Sequence, residues 1–235
     1  MITVEAGVVR DIELAGIECT LWSPADADDG ETLPMLVAHD GTEYDQQAGL
    51  TGYIADGIAG NRLPRMRVAL LRPADRNRQY SASVRYSRTL VERVLPGLPA
   101  QPRIGMGTSL GALAMLHAHC QLPGMFDALF LQSGSYFSPL FDAHERWFPH
   151  FWRIAAFVAD VQHGGLPDHP IPVVLTCGAA EENIRNNRFM ARALCARGYP
   201  AVLHEVPGMH DYPAWRDAFD PHLTRLLQQV IGSGS

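Results

Sequence analysis

Residues 104–112 read IGMGTSLGA and contain the pattern Gly-x-Ser-x-Gly, centred on Ser109. A short apolar run at 103–106 predicts a strand before the pattern, and the small and apolar residues of 110–120 predict a helix after it. In this strand–turn–helix context the pattern predicts a nucleophile elbow, whose glycines avoid collision with the neighbouring strand and helix. The alternative is a glycine-rich turn in which the serine only caps the helix.

On both sides of the elbow, short apolar runs alternate with longer stretches whose apolar residues recur three and four apart. This alternation predicts an α/β fold with a mostly parallel sheet and helices on both faces. The predicted strands are 34–39, 66–71, 103–106, 128–132, 171–177 and 201–206, after an antiparallel N-terminal pair at 4–14 and 17–22. The predicted helices are 50–58, 82–95, 110–120, 184–197 and 213–231, and loops are predicted at 40–44 and 72–80.

The 235 residues contain no long linker and no internal repeat, so one domain spanning 1–235 is expected. The irregular stretch 136–170 lies between two predicted strands and is rich in aromatic residues. Because long loops in compact domains are usually functional, we expect a cap-like insertion that walls a pocket. Core packing or a homodimer contact would explain the same aromatic residues.

The composition argues against several classes of protein. The formal charge is −6 without a basic cluster, which speaks against binding to nucleic acid or to an anionic membrane. The N-terminal residues lack the pattern of a signal peptide, and no run of about 18 apolar residues predicts a membrane span. The spacing of the four cysteines fits neither a zinc site nor a redox pair. We therefore expect a cytoplasmic protein without a metal or cofactor.

A serine nucleophile needs a general base, and neutral histidine suits that role at pH 7. Among the ten histidines, His210 stands out because it lies in residues 207–212, PGMHDY, between the last predicted strand and the last helix. Loops at the carboxyl ends of strands are where sites in such sheets collect. His210 is therefore the predicted base.

The acid that orients the base should precede it in the chain, in the loop after the strand 171–177. That loop, residues 178–183, reads GAAEEN and offers both Glu181 and Glu182. Either glutamate could instead stabilise the first turn of the next helix through its negative charge. We favour Glu181, with Glu182 second. Asp211, or a site that works largely as a dyad, stays open.

The oxyanion of an acyl-transfer intermediate needs two backbone donors. One is predicted to be the amide of Leu110, the residue after the nucleophile. The other should come from the loop after strand 34–39, where Gly41 permits a close backbone approach, so Thr42 is the predicted donor and Glu43 the next choice. The alternative is that this glycine marks only a tight turn.

The chain resembles the esterase family that includes enterochelin esterases, esterase D-type enzymes, feruloyl esterase domains and mycolyltransferases. The segments that carry this resemblance are HDG at 39–41, RQY at 78–80 leading through Tyr86 to VLP at 94–96, IGMGTSLGALA at 104–114 with LQSGS at 131–135, and GMHDYPAW at 208–215. The enterochelin esterase branch looks closest, because of the ending Gly-Met-His-Asp-Tyr followed by Trp215.

The resemblance implies an α/β-hydrolase fold and cleavage of carboxylic esters through an acyl-enzyme, without a metal. It places the nucleophile on Ser109, the acid on Glu181, the base on His210 and the second oxyanion amide on Thr42. The predicted function is hydrolysis of a small or aryl ester, with siderophore-like esters among the candidates, and the partner is a small-molecule substrate. The alternatives are an acyltransferase with the same triad and a non-catalytic binding protein.

Overall fold

The structure is a computed structural model that describes residues 7–28, 30–98, 100–164 and 169–232. Within these ranges the strands form one eight-stranded sheet, in the order β1-β2-β4-β3-β5-β6-β7-β8. The strands are β1 (Val8–Leu14), β2 (Ile17–Ser23), β3 (Leu33–His39), β4 (Arg67–Arg72), β5 (Ala100–Thr108), β6 (Ala128–Gln132), β7 (Val173–Gly178) and β8 (Ala201–Val206). The predicted α/β-hydrolase architecture is confirmed.

The N-terminal strand pair is antiparallel, as the sequence predicts. β1 pairs with β2 from Val8 opposite Ser23 to Leu14 opposite Ile17, and β2 also runs antiparallel to β4. From β4 to β8 all neighbouring strands are parallel. Residues 4–6 of the predicted first strand lie outside the described residues.

The strand order reverses around β3. The chain passes from β3 outward to β4, then returns to place β5 on the other side of β3. In open α/β sheets, ligands bind at the carboxyl ends of the strands where such a reversal occurs. The end of β5, where Ser109 follows Thr108, lies at this point.

Helices cover both faces of the sheet. They are α1 (Gly41–Ala48), α2 (Leu50–Ala59), α3 (Arg76–Tyr80), α4 (Val84–Thr89), α5 (Leu110–Gln121), α6 (Phe151–His163), α7 (Ile184–Ala196), α8 (Tyr212–Asp217) and α9 (Thr224–Gly232). None of these helices is both long and apolar enough to cross a lipid bilayer.

The core has two layers, one on each face of the sheet. In β3, Met35 and Val37 belong to one layer and Leu36 and Ala38 to the other, because successive side chains of a strand point to opposite faces. Every residue of α5 from Leu110 to Cys120 is buried. Because no side of this helix faces water, it needs no polar face, and apolar residues occur on all its sides. The helix that follows the elbow is thus part of the core.

Two helices lie where the sequence predicted loops, at 40–44 and 72–80. Tyr44 of α1 is fully buried, and its hydroxyl donates to the side-chain carbonyl of Gln132 at 2.8 Å. This contact with a distant strand stabilises α1, and no local sequence pattern predicts it. The helix α3 begins after Asp75, whose carboxylate accepts a backbone amide hydrogen bond at 3.1 Å.

The predicted helices at 82–95 and 213–231 are not continuous α-helices. After α4 the helical turns widen over Leu90–Val94. At the chain's end, α8 and α9 are separated at Asp220, whose φ of −106° and ψ of 123° are extended. The cause is Pro221, because a proline disfavours the helical conformation of the residue before it.

The predicted insertion at 136–170 is more regular than expected. It contains a short helical turn, Ala143–Trp147, and the helix α6, whose apolar residues pack into the core. Trp147 and Trp152 are exposed, at 75% and 61% of their surface. Residues 165–168 of this stretch lie outside the described residues. Core packing therefore accounts for part of its aromatic content.

Candidate active site

Ser109 occupies the sharp turn between β5 and α5. Its φ of 54° and ψ of −121° are unfavourable for a residue with a side chain, and such strain persists only where the surroundings impose it. A side chain at Gly107 would place its Cβ 2.5 Å from the backbone of Gly111. The glycines on either side of the serine therefore allow the strand and helix to meet at this turn, as the pattern predicts.

The hydroxyl of Ser109 faces a cavity of about 610 Å³. Its Oγ lies 3.0 Å from the Oγ of Ser135, and either hydroxyl can be the donor. Leu110, the first residue of α5, also lines the cavity. The first amides of a helix have no partner within the helix and carry partial positive charge, which suits a developing oxyanion.

Glu181 and His210 also line this cavity and contact each other. Glu181 follows β7, and His210 lies in the loop between β8 and α8. The Nδ1 atom of His210 is 2.7 Å from Oε2 of Glu181. The glutamate side chain is 2% exposed and the histidine side chain 44% exposed, so the acid is shielded while the base reaches the cavity.

Three donors surround the carboxylate of Glu181. Its Oε1 accepts hydrogen bonds at 2.7 Å from the Ser133 hydroxyl and at 2.7 Å from the Gly178 amide, while Oε2 contacts His210. Burial raises the pKa of Glu181, but these hydrogen bonds, first that with His210, outweigh it and leave the pKa below its ordinary value. The acid is thus held as a carboxylate.

This contact also determines which ring nitrogen of His210 carries the proton. A carboxylate oxygen can only accept, so Nδ1 carries the hydrogen and donates it to Glu181. In the neutral ring Nε2 then has a free electron pair. This is the tautomer that a general base requires.

The other two candidate acids have different environments. Glu182 has a side chain that is 89% exposed, and its carboxylate lies 3.8 Å from Nε2 of His144. Asp211 caps α8 by accepting a hydrogen bond from the amide of Ala214 at 3.0 Å. Within the described part of the chain, the side chain that hydrogen-bonds to His210 is that of Glu181.

The segment after β3 lies beside the elbow. A Cβ at Gly111 would come within 3.3 Å of an Asp40 carboxylate oxygen. Thr42 is not among the residues that line the cavity of Ser109, and it lines a separate cavity together with Leu70 and Arg72. Ser109, Leu110, Glu181 and His210 therefore share one cavity, and Thr42 stays a predicted donor.

A buried network ties this segment to the elbow. His39 is fully buried, and its Nδ1 is 2.9 Å from the Gly111 carbonyl while its Nε2 is 2.9 Å from the Tyr86 hydroxyl. The Asp40 carboxylate accepts three hydrogen bonds from Arg76, at 2.7 to 2.9 Å. The short segment at 39–41 marked this region in the sequence, but its partners could not be identified from spacing alone.

The wall of the cavity has an apolar part, and Glu145, Glu182 and Asn183 add polar groups to it. Phe137 and Phe148 from the insertion line it together with Met209, and their two rings pack edge to face with centroids 6.0 Å apart. Phe137 also stacks on the buried Phe151 at 5.7 Å. The insertion thus contributes both to the core and to the cavity.

No group of three or more histidine, cysteine, aspartate or glutamate side chains is placed to bind a metal ion in the ranges that the structure describes. The polar groups at the cavity include the Ser109 hydroxyl, the His210 imidazole and the carboxylates of Glu145, Glu181 and Glu182.

The sequence matches a known protein family over most of its length. Residues 17–226 match the family described as "Putative esterase". No curated protein matches the chain.

Several solved structures share the fold. The enterochelin esterase of Shigella flexneri has a TM-score of 0.78 at 20% identity, with 95% of this chain covered. The chain spans only 59% of that protein's length. A ferulic acid esterase has a TM-score of 0.72 at 13% identity, with 95% and 97% of the two chains covered. An S-formylglutathione hydrolase of Staphylococcus aureus has a TM-score of 0.64 at 15% identity, with 97% and 98% covered.

Proposed function

The chain belongs to the putative esterase family, and from this we propose that it is a serine esterase that hydrolyses carboxylic esters through Ser109, His210 and Glu181. One observation carries the proposal. The strained serine at the end of β5 and the hydrogen-bonded histidine–glutamate pair open into the same cavity. A substrate carbonyl in that cavity can meet the nucleophile and the base together.

The first half of the reaction forms an acyl-enzyme. The Ser109 hydroxyl turns from Ser135 towards the base, and its Oγ attacks the ester carbonyl carbon as Nε2 of His210 takes the proton. The carbonyl π electrons move to the oxygen. Glu181 stabilises the imidazolium that forms.

The oxyanion of this intermediate is held by backbone amides. We assign one to Leu110, at the start of α5, and the other to Thr42, at the start of α1. When the intermediate collapses, the bond to the alcohol oxygen breaks, and His210 gives that oxygen its proton. A water molecule activated by His210 then attacks the acyl-enzyme, releases the carboxylic acid and restores the Ser109 hydroxyl.

The substrate that we propose is a small or aryl ester. The aromatic and aliphatic wall formed by Phe137, Phe148 and Met209 supports an apolar or aromatic group beside the scissile bond. Among the structures with the same fold are enterobactin esterases and a ferulic acid esterase, which favours aryl esters, including siderophore-like ones, as the first compounds to try.

The proposal is tested by the kinetics of ester hydrolysis with matched variants. Wild-type protein is expected to hydrolyse short nitrophenyl, feruloyl or catecholate esters, and Ser109→Ala to abolish turnover. Glu181→Gln should lower kcat by about 100-fold to about 10,000-fold, because loss of the orienting carboxylate removes the correct tautomer and the charge stabilisation. Glu182→Gln is the control and should change kcat by less than about 2-fold, because Glu182 also lines the cavity but its carboxylate lies beside His144 instead of His210.

Two results would contradict the proposal. One is that Ser109→Ala retains wild-type turnover, and the other is that Glu182→Gln loses as much activity as Glu181→Gln. Product analysis with an added alcohol acceptor separates hydrolysis from acyl transfer. Free acid as the main product supports the hydrolase, whereas a new ester as the main product identifies an acyltransferase.

A further inference from the structure

The loop that follows β6, residues 133–135, is called the serine loop here because it reads SGS. It contacts the nucleophile through several groups. The Ser109 amide donates to the carbonyl of Gln132 at 2.9 Å, just before the loop, and the Ser109 carbonyl accepts from the Ser135 amide at 3.1 Å. The Ser109 hydroxyl contacts the Ser135 hydroxyl at 3.0 Å. The strained backbone of the nucleophile is therefore held at this loop.

The same loop holds the acid. The Ser133 side chain is fully buried, and its Oγ accepts a hydrogen bond from the indole N–H of Trp215 at 3.0 Å. Because the indole can only donate, the hydroxyl proton of Ser133 remains for Oε1 of Glu181, at 2.7 Å. Ser133 thereby fixes one carboxylate oxygen and leaves the other to His210.

The serine loop is in turn anchored by α7. The amide of Gly134 donates to Oδ1 of Asn187 at 3.0 Å, and its carbonyl accepts from Nδ2 of Asn187 at 3.1 Å. A side chain at Gly134 would place its Cβ 2.3 Å from the ring of Tyr136, so this position has room only for glycine. Asn187 is fully buried and does not line the cavity of Ser109.

We propose that the serine loop aligns the nucleophile with the acid–base pair, and that Ser133 and Asn187 are positioning residues that act through it. This inference rests on the proposed function. The physical reason is the steep dependence of the reaction on geometry, since a displacement of about 1 Å at the reacting groups can cost about 100-fold in rate. Asn187 would exert this effect without touching the substrate.

The test compares two adjacent asparagines of α7 by steady-state kinetics on a nitrophenyl ester. Asn187→Ala should lower kcat by about 10-fold to about 100-fold and leave KM within about 2-fold, because only alignment is lost. Asn186→Ala is the matched control, since Asn186 is also buried but donates instead to Asp142 at 2.8 Å. It should leave kcat near the wild-type value.

A double-mutant cycle tests whether Ser133 acts through the acid. Ser133→Ala should lower kcat by about 10-fold or more in the wild-type background, but by less than about 2-fold in a Glu181→Gln background. Because Ser133→Ala removes a single hydroxyl, it carries the test even if Asn187→Ala does not fold.

Equal losses from Ser133→Ala in both backgrounds would overturn the proposal, as would equal losses of kcat from Asn186→Ala and Asn187→Ala. These outcomes are distinct from failure of the proposed function, which would appear as turnover that survives Ser109→Ala.

Discussion

Glu181 and Glu182 are adjacent in the chain but have opposite environments. The first is buried and hydrogen-bonded to His210, and the second has an 89% exposed side chain. The sequence favoured Glu181 but kept Glu182 as second choice, because both lie in the loop after β7. Which of the two glutamates contacts His210 depends on how the turn directs each side chain. One of the hydrogen-bond donors to Glu181 is Ser133, which is 48 residues away in the chain.

The buried imidazole of His39 predicts a pH dependence of stability. The Gly111 carbonyl can only accept, so Nδ1 of His39 carries the hydrogen and Nε2 accepts from Tyr86. Burial is the main cause that lowers the pKa of His39 from its ordinary value to about 4. Burial likewise lowers the pKa of His117 and of His119 to about 4.

A histidine with a lowered pKa in the folded state is protonated first in the unfolded chain. Its contribution to stability is fully present above the unfolded value near pH 6.5 and is lost as the pH falls towards about 4. We expect the free energy of unfolding to be lower at pH 5 than at pH 7, by roughly 2 kcal/mol for each such histidine. Urea unfolding at the two pH values measures this difference. An equal or higher value at pH 5 would contradict the buried neutral state of these histidines.

At the scale of elements, the elbow was the most predictable part of the fold. Its signal is local, because glycines on either side of the serine, a strand before it and a small-residue helix after it all lie within a short stretch. The boundaries of α5 and β6 agree closely with the prediction for the same reason. By contrast, α1 depends on the distant contact between Tyr44 and Gln132, which no local pattern reveals.

Two glycine substitutions, one at the elbow and one in α2, should change the stability of the protein in opposite directions. Gly107→Ala should destabilise the protein by about 1 to 3 kcal/mol, since its Cβ would overlap the backbone of α5. It should also lower kcat, because the overlap displaces the turn at Ser109. Gly52→Ala is the control in α2, where an added Cβ meets nothing within 4 Å, and it should stabilise by about 0.5 to 1 kcal/mol. Urea midpoints and ester kinetics of both variants give the comparison, and a Gly107→Ala protein as stable and active as wild type would refute the packing argument.

The predicted C-terminal helix, 213–231, shows another way in which a local sequence pattern can mislead. Its apolar spacing is helical throughout 213–231, yet the chain is extended at Asp220 before Pro221. The periodic pattern predicts one helix, whereas Pro221 disfavours the helical conformation at Asp220. The apolar residues on both sides of the break still reach one core layer, which explains why the periodicity survives.

At the scale of the whole molecule, the alternation of strands and helices was enough to predict a parallel sheet, but not its strand order. The order arises from long-range pairing, in which β3 lies between β4 and β5. That arrangement brings the ends of β5, β7 and β8 to one edge, so residues far apart in sequence share a cavity. The serine loop lies in the segment 131–135 that carries part of the family resemblance, but its contacts with Ser109, Glu181 and Asn187 could not be predicted, because they join segments far apart in the chain.

The central claim is that Ser109 is an activated nucleophile, and covalent labelling tests it most directly. Purified protein is treated with a fluorophosphonate, and the intact mass and the modified peptide are measured by mass spectrometry. We expect one adduct per chain, located on Ser109 and missing from Ser109→Ala. A folded wild-type protein that forms no adduct, or a Ser109→Ala variant that is still labelled on the same peptide, would contradict the claim.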